Sequence, residues 1–404
     1  LDDVFTGLPD APVVKNTHSA RSRGIDVDLS LKHKAVEKGL SAHEPWISRC
    51  KQLYETSQVY HGVIVAGPPG SGKTSCIQTL VDALSAPTRG TVSRGSHISR
   101  SSNPAESQHK IIRINPMVVD DYAIMFGYLK DNHDWVDGIV TSSCRKANRN
   151  QSTTWLCLDG PLNPGWSDNF NSVLREEKVI HLKNGDKLFL SENIIVVFET
   201  CNLANASPSI VAKSGIVYLD NNVVGWKPIA DAWLESRTPQ EIHVLQRAFQ
   251  KTLDPISQFV LNEAKPLVKL SLVGLFKSCL GLLSAMLADN RETSEDHVER
   301  LFLFCLIWTF GGLLDANDRR IFSDKLKTLS NTLPDDDRQI CVFDYYVDES
   351  GDWDPWSSKV NESVYSDQQD MLGEVFVDSI NTIRTKILID FASASGLNVL
   401  LVGP

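Results

Sequence analysis

At 404 residues, 42% hydrophobic and 22% charged, the chain has the composition of a globular protein, which excludes wholesale disorder and leaves room for two or three domains of about 150 residues each. Its 40 Lys plus Arg against 50 Asp plus Glu give a formal charge of −10, the opposite of the basic balance of a dedicated nucleic-acid binder. None of the 8 cysteines forms a CxxC, so neither a zinc cage nor a dense disulfide scaffold is expected, and free thiols in a reducing compartment are the plain reading.

Residues 1–40 mix Gly, Pro and charge without clear periodicity and read as a connector. The chain opens on Leu1 without a signal-peptide pattern and closes on Leu-Val-Gly-Pro, as a piece of something longer would. From Pro45 to Tyr60 the apolar positions Trp46, Ile47, Leu53, Tyr54 and Val59 predict an amphipathic helix. Gly62–Gly67 is a short apolar run of the kind found in buried parallel strands, and a helix over Lys73–Leu84 should follow. Residues 86–109, rich in Ser, Gly, Pro and Arg, read as a long surface insertion made locally basic by Arg89, Arg94 and Arg100.

Strand-like runs recur at Lys110–Ile114, Thr154–Leu158, Ile194–Phe198 and Ile216–Leu219, with helical stretches between most of them. That alternation means an α/β layer with a parallel sheet. After about Gly225 the strands stop, and residues 239–330 read as helix after helix. Two apolar stretches there, Leu270–Leu287 and Leu301–Leu314, fall short of the about 20 apolar residues of a spanning helix, so no membrane segment is predicted. An acidic stretch over 334–370 precedes a helix, Val377–Ser395, and a strand, Asn398–Val402.

The motif with the most chemistry is Gly67-Pro68-Pro69-Gly70-Ser71-Gly72-Lys73-Thr74, a full match to GxxxxGK[ST] between a predicted strand and a predicted helix. Glycines let successive N–H groups turn inward toward phosphate oxygens, and the helix N-terminus adds its positive end. Lys73 is suited to the β- and γ-phosphates and Thr74 to Mg²⁺, with Ser75 next in the same turn. The partner carboxylate is Asp159, at the end of the apolar run Thr154–Leu158, where it would hold the metal through water. The next residue is Gly160, which has no group able to orient or deprotonate water, so the site has the parts for ATP and Mg²⁺ binding and lacks one for hydrolysis. At the end of another strand, Phe198-Glu-Thr-Cys-Asn202 carries two polar candidates for the site, Glu199 and Asn202; a charged Glu199 near phosphate would need a partner or a proton.

Several longer phrases resemble the second AAA+ module of dynein heavy chains: Trp155–Pro161, Trp166–Leu174, Asn184–Asp186, Ala206–Gly215 and Gly225–Pro228 with Trp233-Leu234. Val342–Tyr345 and Trp353–Trp356 resemble the lead-in to the third module, and the wording is most similar to axonemal, outer-arm forms. The resemblance implies an AAA+ P-loop NTPase fold: a five-stranded parallel sheet of order 5-1-4-3-2 in a large domain over 41–222, then a helical small domain over 223–335. Residues 336–404 would link to and begin the next module. It also implies a six-module ring whose second site holds ATP without hydrolysing it, and AAA+ enzymes usually carry a Glu where Gly160 stands here. Bound nucleotide would then stabilise the folded ring, since a ligand held only by the folded state adds stability.

Two insertions, near Leu129–Trp135 and the hairpin Lys178–Leu190, would meet the linker of the same heavy chain. Independently of the family, Asn184-Gly185 is a strong signal for a tight hairpin, because both residues tolerate positive φ. The implied partners are neighbouring AAA+ modules, the linker, dynein intermediate and light chains and, through the parent motor, the microtubule; neither nucleic acid nor membrane is among them. The implied setting is cytoplasm and cytoskeleton, in the axoneme of a cilium or flagellum. One departure stands out: Lys213 occupies the place of an arginine resembling a finger aimed at the neighbouring module, and lysine lacks the planar fork that grips phosphate bidentately. The rival expectation is a self-sufficient AAA+ ATPase that remodels a protein or nucleic acid.

Overall fold

A computed structural model describes residues 27–85, 108–119, 121–268, 271–288, 294–334, 341–360, 379–394 and 396–401. The basic insertion read at 86–109 therefore lies almost wholly outside the described residues, as do the first 26 residues of the connector. The chain divides into two compact units, one ending at Val224 and the other beginning at Gly225.

The first unit opens with α1 (Val27–Glu37) and α2 (Glu44–Ser57), then β1 (Gly62–Ala66), α3 (Lys73–Ser85) and β2 (His109–Ile114). A short helix α4 (Tyr122–Met125) leads to the hairpin β3 (Gly127–Leu129) and β4 (Trp135–Asp137), then α5 (Ile139–Asn148) and β5 (Thr153–Asp159). After α6 (Pro164–Ser167) comes a second hairpin, β6 (Val179–His181) and β7 (Lys187–Phe189), followed by β8 (Ile194–Thr200), α7 (Pro208–Lys213), β9 (Gly215–Tyr218) and α8 (Asn221–Val224). Five strands form one sheet in the order β2-β5-β8-β1-β9, every neighbouring pair parallel. Counting only these five along the chain, the order reads 5-1-4-3-2.

Both faces of this sheet are covered, and the period of two along each strand divides the core. Val63, Val65, Trp155, Cys157, Val197 and Val217 point to one face, under α1, α2 and α3. Ile64, Ala66, Leu156, Leu158, Val196 and Phe198 point to the other, where Val140 and Cys144 of α5 and the ring of Phe170 meet them. The helix α1 is absent from the connector reading of residues 1–40. Its polar sequence conceals the two apolar positions it buries, Leu31 and Ala35, and Ser30 Oγ donates to Ala83 O of α3 at 2.9 Å.

Both hairpins close differently from the tight two-residue turn expected at Asn184-Gly185. Gly185 N–H donates to Leu182 O at 2.9 Å and only Gly185 takes positive φ, at +88°. This is a type I turn followed by one left-handed residue. The β3–β4 loop repeats it with His133 N–H donating to Lys130 O and His133 itself at φ +65°.

The second unit comprises α9 (Lys227–Leu234), α10 (Pro239–Gln258), α11 (Leu272–Met286), α12 (Glu295–Gly311), α13 (Ala316–Leu329), a small antiparallel pair β10 (Tyr345–Val347) and β11 (Trp353–Pro355), and α14 (Ile380–Ala394). Side-chain caps set the helix starts: Thr238 and Glu241 form a capping box on α10, and Asp315 accepts from Asp318 N–H on α13. Pro255 lies inside α10, and a π turn over Phe259–Glu263 follows, ending the helical run. No helix among the described residues is long and apolar enough to cross a membrane. The pair β10–β11 shows that strands do not stop entirely at Gly225. The strand expected over Asn398–Val402 is not formed among its described residues: Asn398–Leu401 pairs with no described strand, and a strand exists only through its ladder.

An aromatic cluster anchors this unit. Phe249 is 1% exposed, and its ring lies 4.9 Å from Phe302, 5.4 Å from Phe276 and 6.5 Å from Trp226, each in an edge-on geometry. Phe249→Ala should therefore cost about 3–5 kcal/mol. Urea unfolding followed by hydrogen exchange in residues 225–404 measures this; an unchanged midpoint would contradict the packing described.

Candidate nucleotide-binding site

The loop Gly67–Gly72 leaves the C-terminal end of β1 and feeds directly into α3. Gly67 N–H donates to Thr200 O at 3.2 Å, which ties the loop to the end of β8. A Cβ on Gly67 would stand 2.1 Å from Leu219 O, so only glycine fits. Gly72 takes φ +85°, and a Cβ there would meet Trp46 Nε1 at 2.9 Å; that indole N–H points at Gly72 O, 3.4 Å away. Trp46, held by α2, thus braces the last turn of the loop before the helix begins.

Lys73 is 8% exposed and its ammonium curls back over the loop, donating to Gly67 O at 2.7 Å and Pro68 O at 2.9 Å. Ser71 Oγ is fully buried with no hydrogen-bond partner among the described residues. A buried hydroxyl is normally satisfied. The orphaned Ser71 hydroxyl and an ammonium paired only with neutral carbonyls together form a donor set suited to phosphate oxygens.

Three strand ends complete the site. In the sheet register Asp159 of β5 lies opposite Glu199 of β8, and Arg113 of β2 lies opposite Cys157 of β5. The period of two places Arg113, Asp159 and Glu199 on the face that α3 covers. Arg113 Nη1 donates to Glu199 Oε2 at 2.6 Å and to Asp159 Oδ2 at 2.8 Å. Thr74 Oγ1 donates to the other oxygen, Glu199 Oε1. Glu199 is only 3% exposed, whereas 42% of the Asp159 side chain is open to solvent.

Burial opposes the charge on Arg113, but Cys157, Glu199 and Asp159 outweigh it and hold its pKa above the ordinary value. Burial also pushes the Cys157 thiol up to about 12.

The sequence-predicted residues divide accordingly. Gly67, Pro68, Pro69, Gly70, Ser71, Gly72, Lys73 and Thr74 form the loop and the start of α3; Ser75 follows, exposed. Asp159 reaches the site through Arg113. Of the two open alternatives at the end of β8, Glu199 is in the network, and its required partner is Arg113. Asn202 is exposed, its side-chain oxygen accepting from Ala204 N–H. Lys213, at the end of α7, is held away from the loop by Asn171 Oδ1 at 3.0 Å and Ser209 Oγ at 2.8 Å. A Cβ on Gly160 would meet Pro116 Cδ at 3.3 Å, so the space beside it is narrow but not closed. Arg113 escaped the sequence reading, although a lone arginine inside Lys110–Ile114 was the available signal.

Among the described residues no group of three or more His, Cys, Asp or Glu could hold a metal by itself. Hydrated Mg²⁺ does not need one: it keeps several waters and takes one or two protein oxygens beside the phosphates, and Thr74 with the neighbouring carboxylates fits that requirement.

A parallel sheet with a glycine-rich loop at a strand end, followed by a helical unit, defines an α/β module of AAA type. The family model described as the dynein heavy chain AAA lid domain matches residues 245–358, a span that includes Val342–Tyr345 and Trp353–Trp356. Over 413 aligned residues the chain is 32% identical to the dynein gamma chain of the flagellar outer arm of Chlamydomonas reinhardtii, covering 100% of this chain and 8% of that protein. It is 31% identical to dynein axonemal heavy chain 5 of Rattus norvegicus over 94% of this chain and 11% of the relative, and 30% identical to dynein axonemal heavy chain 8 of Homo sapiens over 100% and 9%. The chain belongs to the dynein heavy chain family, among the axonemal forms, and spans about a tenth of the length of these relatives.

Arg113→Met should leave Glu199 as a buried charge without its cation and destabilise the first unit by about 3–5 kcal/mol. Replacing both residues, Arg113→Met with Glu199→Met, should recover most of that loss. Urea denaturation of the three variants checks the pair; a double variant no more stable than the single one would show that the ion pair is not the cause.

Proposed function

We propose that this chain is a nucleotide-holding module of an axonemal dynein heavy chain, the second of its ring, which binds Mg²⁺ and ATP without hydrolysing the ATP. The observation that carries this reading is the combination of an intact phosphate loop with the lack of a free general base. Gly160 follows Asp159 and offers no side chain. Glu199 is the buried carboxylate nearest Thr74, and both its oxygens are engaged, one by Thr74 and one by Arg113. Those two contacts hold the Glu199 carboxylate toward Thr74 and Arg113, whereas a general base has to be aimed at the attacking water.

In this reading the parent motor moves toward the minus end of microtubules and drives ciliary or flagellar beating. The neighbouring modules and the linker of the same heavy chain are direct partners, and intermediate and light chains are more distant ones. The hairpins β3–β4 and β6–β7 are the surfaces offered to the linker; each exposes an apolar side chain at its edge, Leu129 at 50% and Phe189 at 61%. Lys213 is the cation presented to the neighbouring first module, with weaker phosphate grip than arginine.

Denaturing the purified 404-residue chain and identifying the released nucleotide tests the central claim. ATP retained through purification, with negligible steady turnover, is the expected result. ADP accumulating with continued turnover would support the rival reading of a self-sufficient ATPase. In the intact motor, Lys213→Arg should raise ATP turnover, since arginine fingers in other phosphoryl-transfer systems contribute about 10³–10⁵ in rate. An unchanged rate would remove Lys213 from that role.

A further inference from the structure

We infer that Glu199, rather than Asp159, is the carboxylate that sets the metal side of this site, and that Arg113 is the positioning residue that holds it there. The inference rests on the nucleotide-holding reading above and concerns which residues of this chain face Mg²⁺.

A threonine hydroxyl has one proton to donate and two lone pairs to offer. If it is to turn a lone pair toward a cation, its proton must be taken by an acceptor elsewhere, and whichever group takes that proton fixes the direction of the lone pairs. Here Glu199 Oε1 takes it. Asp159, the residue a strand-end motif nominates, instead accepts from Arg113 through Oδ2.

Topology explains the exchange. The phosphate loop leaves β1, and β8 is the strand paired directly with β1, whereas β5 lies beyond β8. Neighbouring strands stand about 4.8 Å apart, so Glu199 is one spacing from the loop strand and Asp159 is two. Glu199 therefore reaches Thr74 directly, while Asp159, its register partner on β5, shares the Arg113 guanidinium with it.

The same network explains how a carboxylate at 3% exposure can sit beside a loop built for phosphate. Arg113 serves both carboxylates, but Glu199 alone also takes the Thr74 proton and so leaves the hydroxyl lone pairs for a cation. The site should therefore discriminate strongly between ATP with Mg²⁺ and ATP alone, with the Glu199–Thr74 contact as the source of the discrimination. Groups that orient metal ligands typically change metal affinity 10–100-fold when removed.

The test measures affinity of the full chain for ATP by calorimetry, once with excess Mg²⁺ and once with EDTA, for the native sequence and four variants. The native chain should bind ATP more tightly with Mg²⁺. Glu199→Gln should lose about 10-fold or more of that Mg²⁺ preference, with binding in EDTA unchanged or tighter. Thr74→Ala should lose the same preference, and combining the two changes should lose no more than either alone. Asp159→Asn should keep the preference within about 2-fold. Glu199→Asp keeps the charge and shortens the reach, so it serves where the glutamine variant folds poorly, and it should also lose the preference. If Asp159→Asn abolishes the preference while Glu199→Gln and Glu199→Asp retain it, Asp159 is the metal-side carboxylate and the inference is overturned. A native chain that binds ATP with equal affinity in both conditions overturns it as well, while leaving nucleotide binding intact. A native chain that binds ATP in neither condition overturns the nucleotide-holding reading itself.

Discussion

A carboxylate cannot be buried beside a polyphosphate loop unless a cation holds it, and in this molecule the cation is Arg113. Desolvating a lone carboxylate costs several kcal/mol, so the fold at the strand ends depends on the Arg113–Glu199 contact at 2.6 Å. The rest of the site follows from that pair. Glu199, once fixed, presents its second oxygen to Thr74, and Arg113, once fixed, draws in Asp159. The loop itself is placed by backbone bonds to the ends of β8 and β9, from Gly67 N–H to Thr200 O and from Leu219 N–H to Ala66 O.

Much of the fold could be read directly from residue order. The five sheet strands lie within a residue or two of the runs that predict them; the three inner ones, β1, β5 and β8, are buried on both faces and so nearly continuously apolar. The glycine loop was equally legible, since its residue types are dictated by backbone conformation: Gly67, Gly70 and Gly72 all take positive φ. Where the reading fell short, the information lay in pairing across the sheet. Nothing local to Lys110–Ile114 says that Arg113 will stand near two carboxylates more than 40 residues away in sequence. Only the register of three strands does so. The helix α1 was missed for a related reason: it buries so few apolar residues that its amphipathic pattern is faint, and its stability comes from packing against α3 rather than from propensity.

The hairpins illustrate the difference between recognising a turn and specifying it. Asn184-Gly185 correctly marks a chain reversal, yet the left-handed residue is Gly185 alone, with Asn184 serving instead as an acceptor for Asp186 N–H. The β3–β4 loop achieves the same geometry with His133, a residue type that tolerates the left-handed region better than most. The two loops share an Asn-x-Asp pattern, Asn132 with Asp134 and Asn184 with Asp186, and in each the Asn side chain accepts from the Asp N–H and donates to the Asp carboxylate, so one local device sets both loop shapes.

Gly160 and Glu199 are best understood together. A glutamate following Asp159 would add a third carboxylate to strand ends where one guanidinium already serves two. Its Cβ would also press on Pro116 Cδ at 3.3 Å. Glycine avoids both the crowding and the extra charge. Meanwhile Glu199, which by position could approach a water beside a bound phosphate, is committed through both oxygens to Thr74 and Arg113. Freeing it would mean breaking a buried charge-assisted hydrogen bond, a contact worth about 1.5–3 kcal/mol. The carboxylates at these strand ends are thus engaged in contacts within the site, Glu199 with Thr74 and Arg113 and Asp159 with Arg113, and that engagement, together with Gly160, is what the proposed nucleotide-holding role rests on.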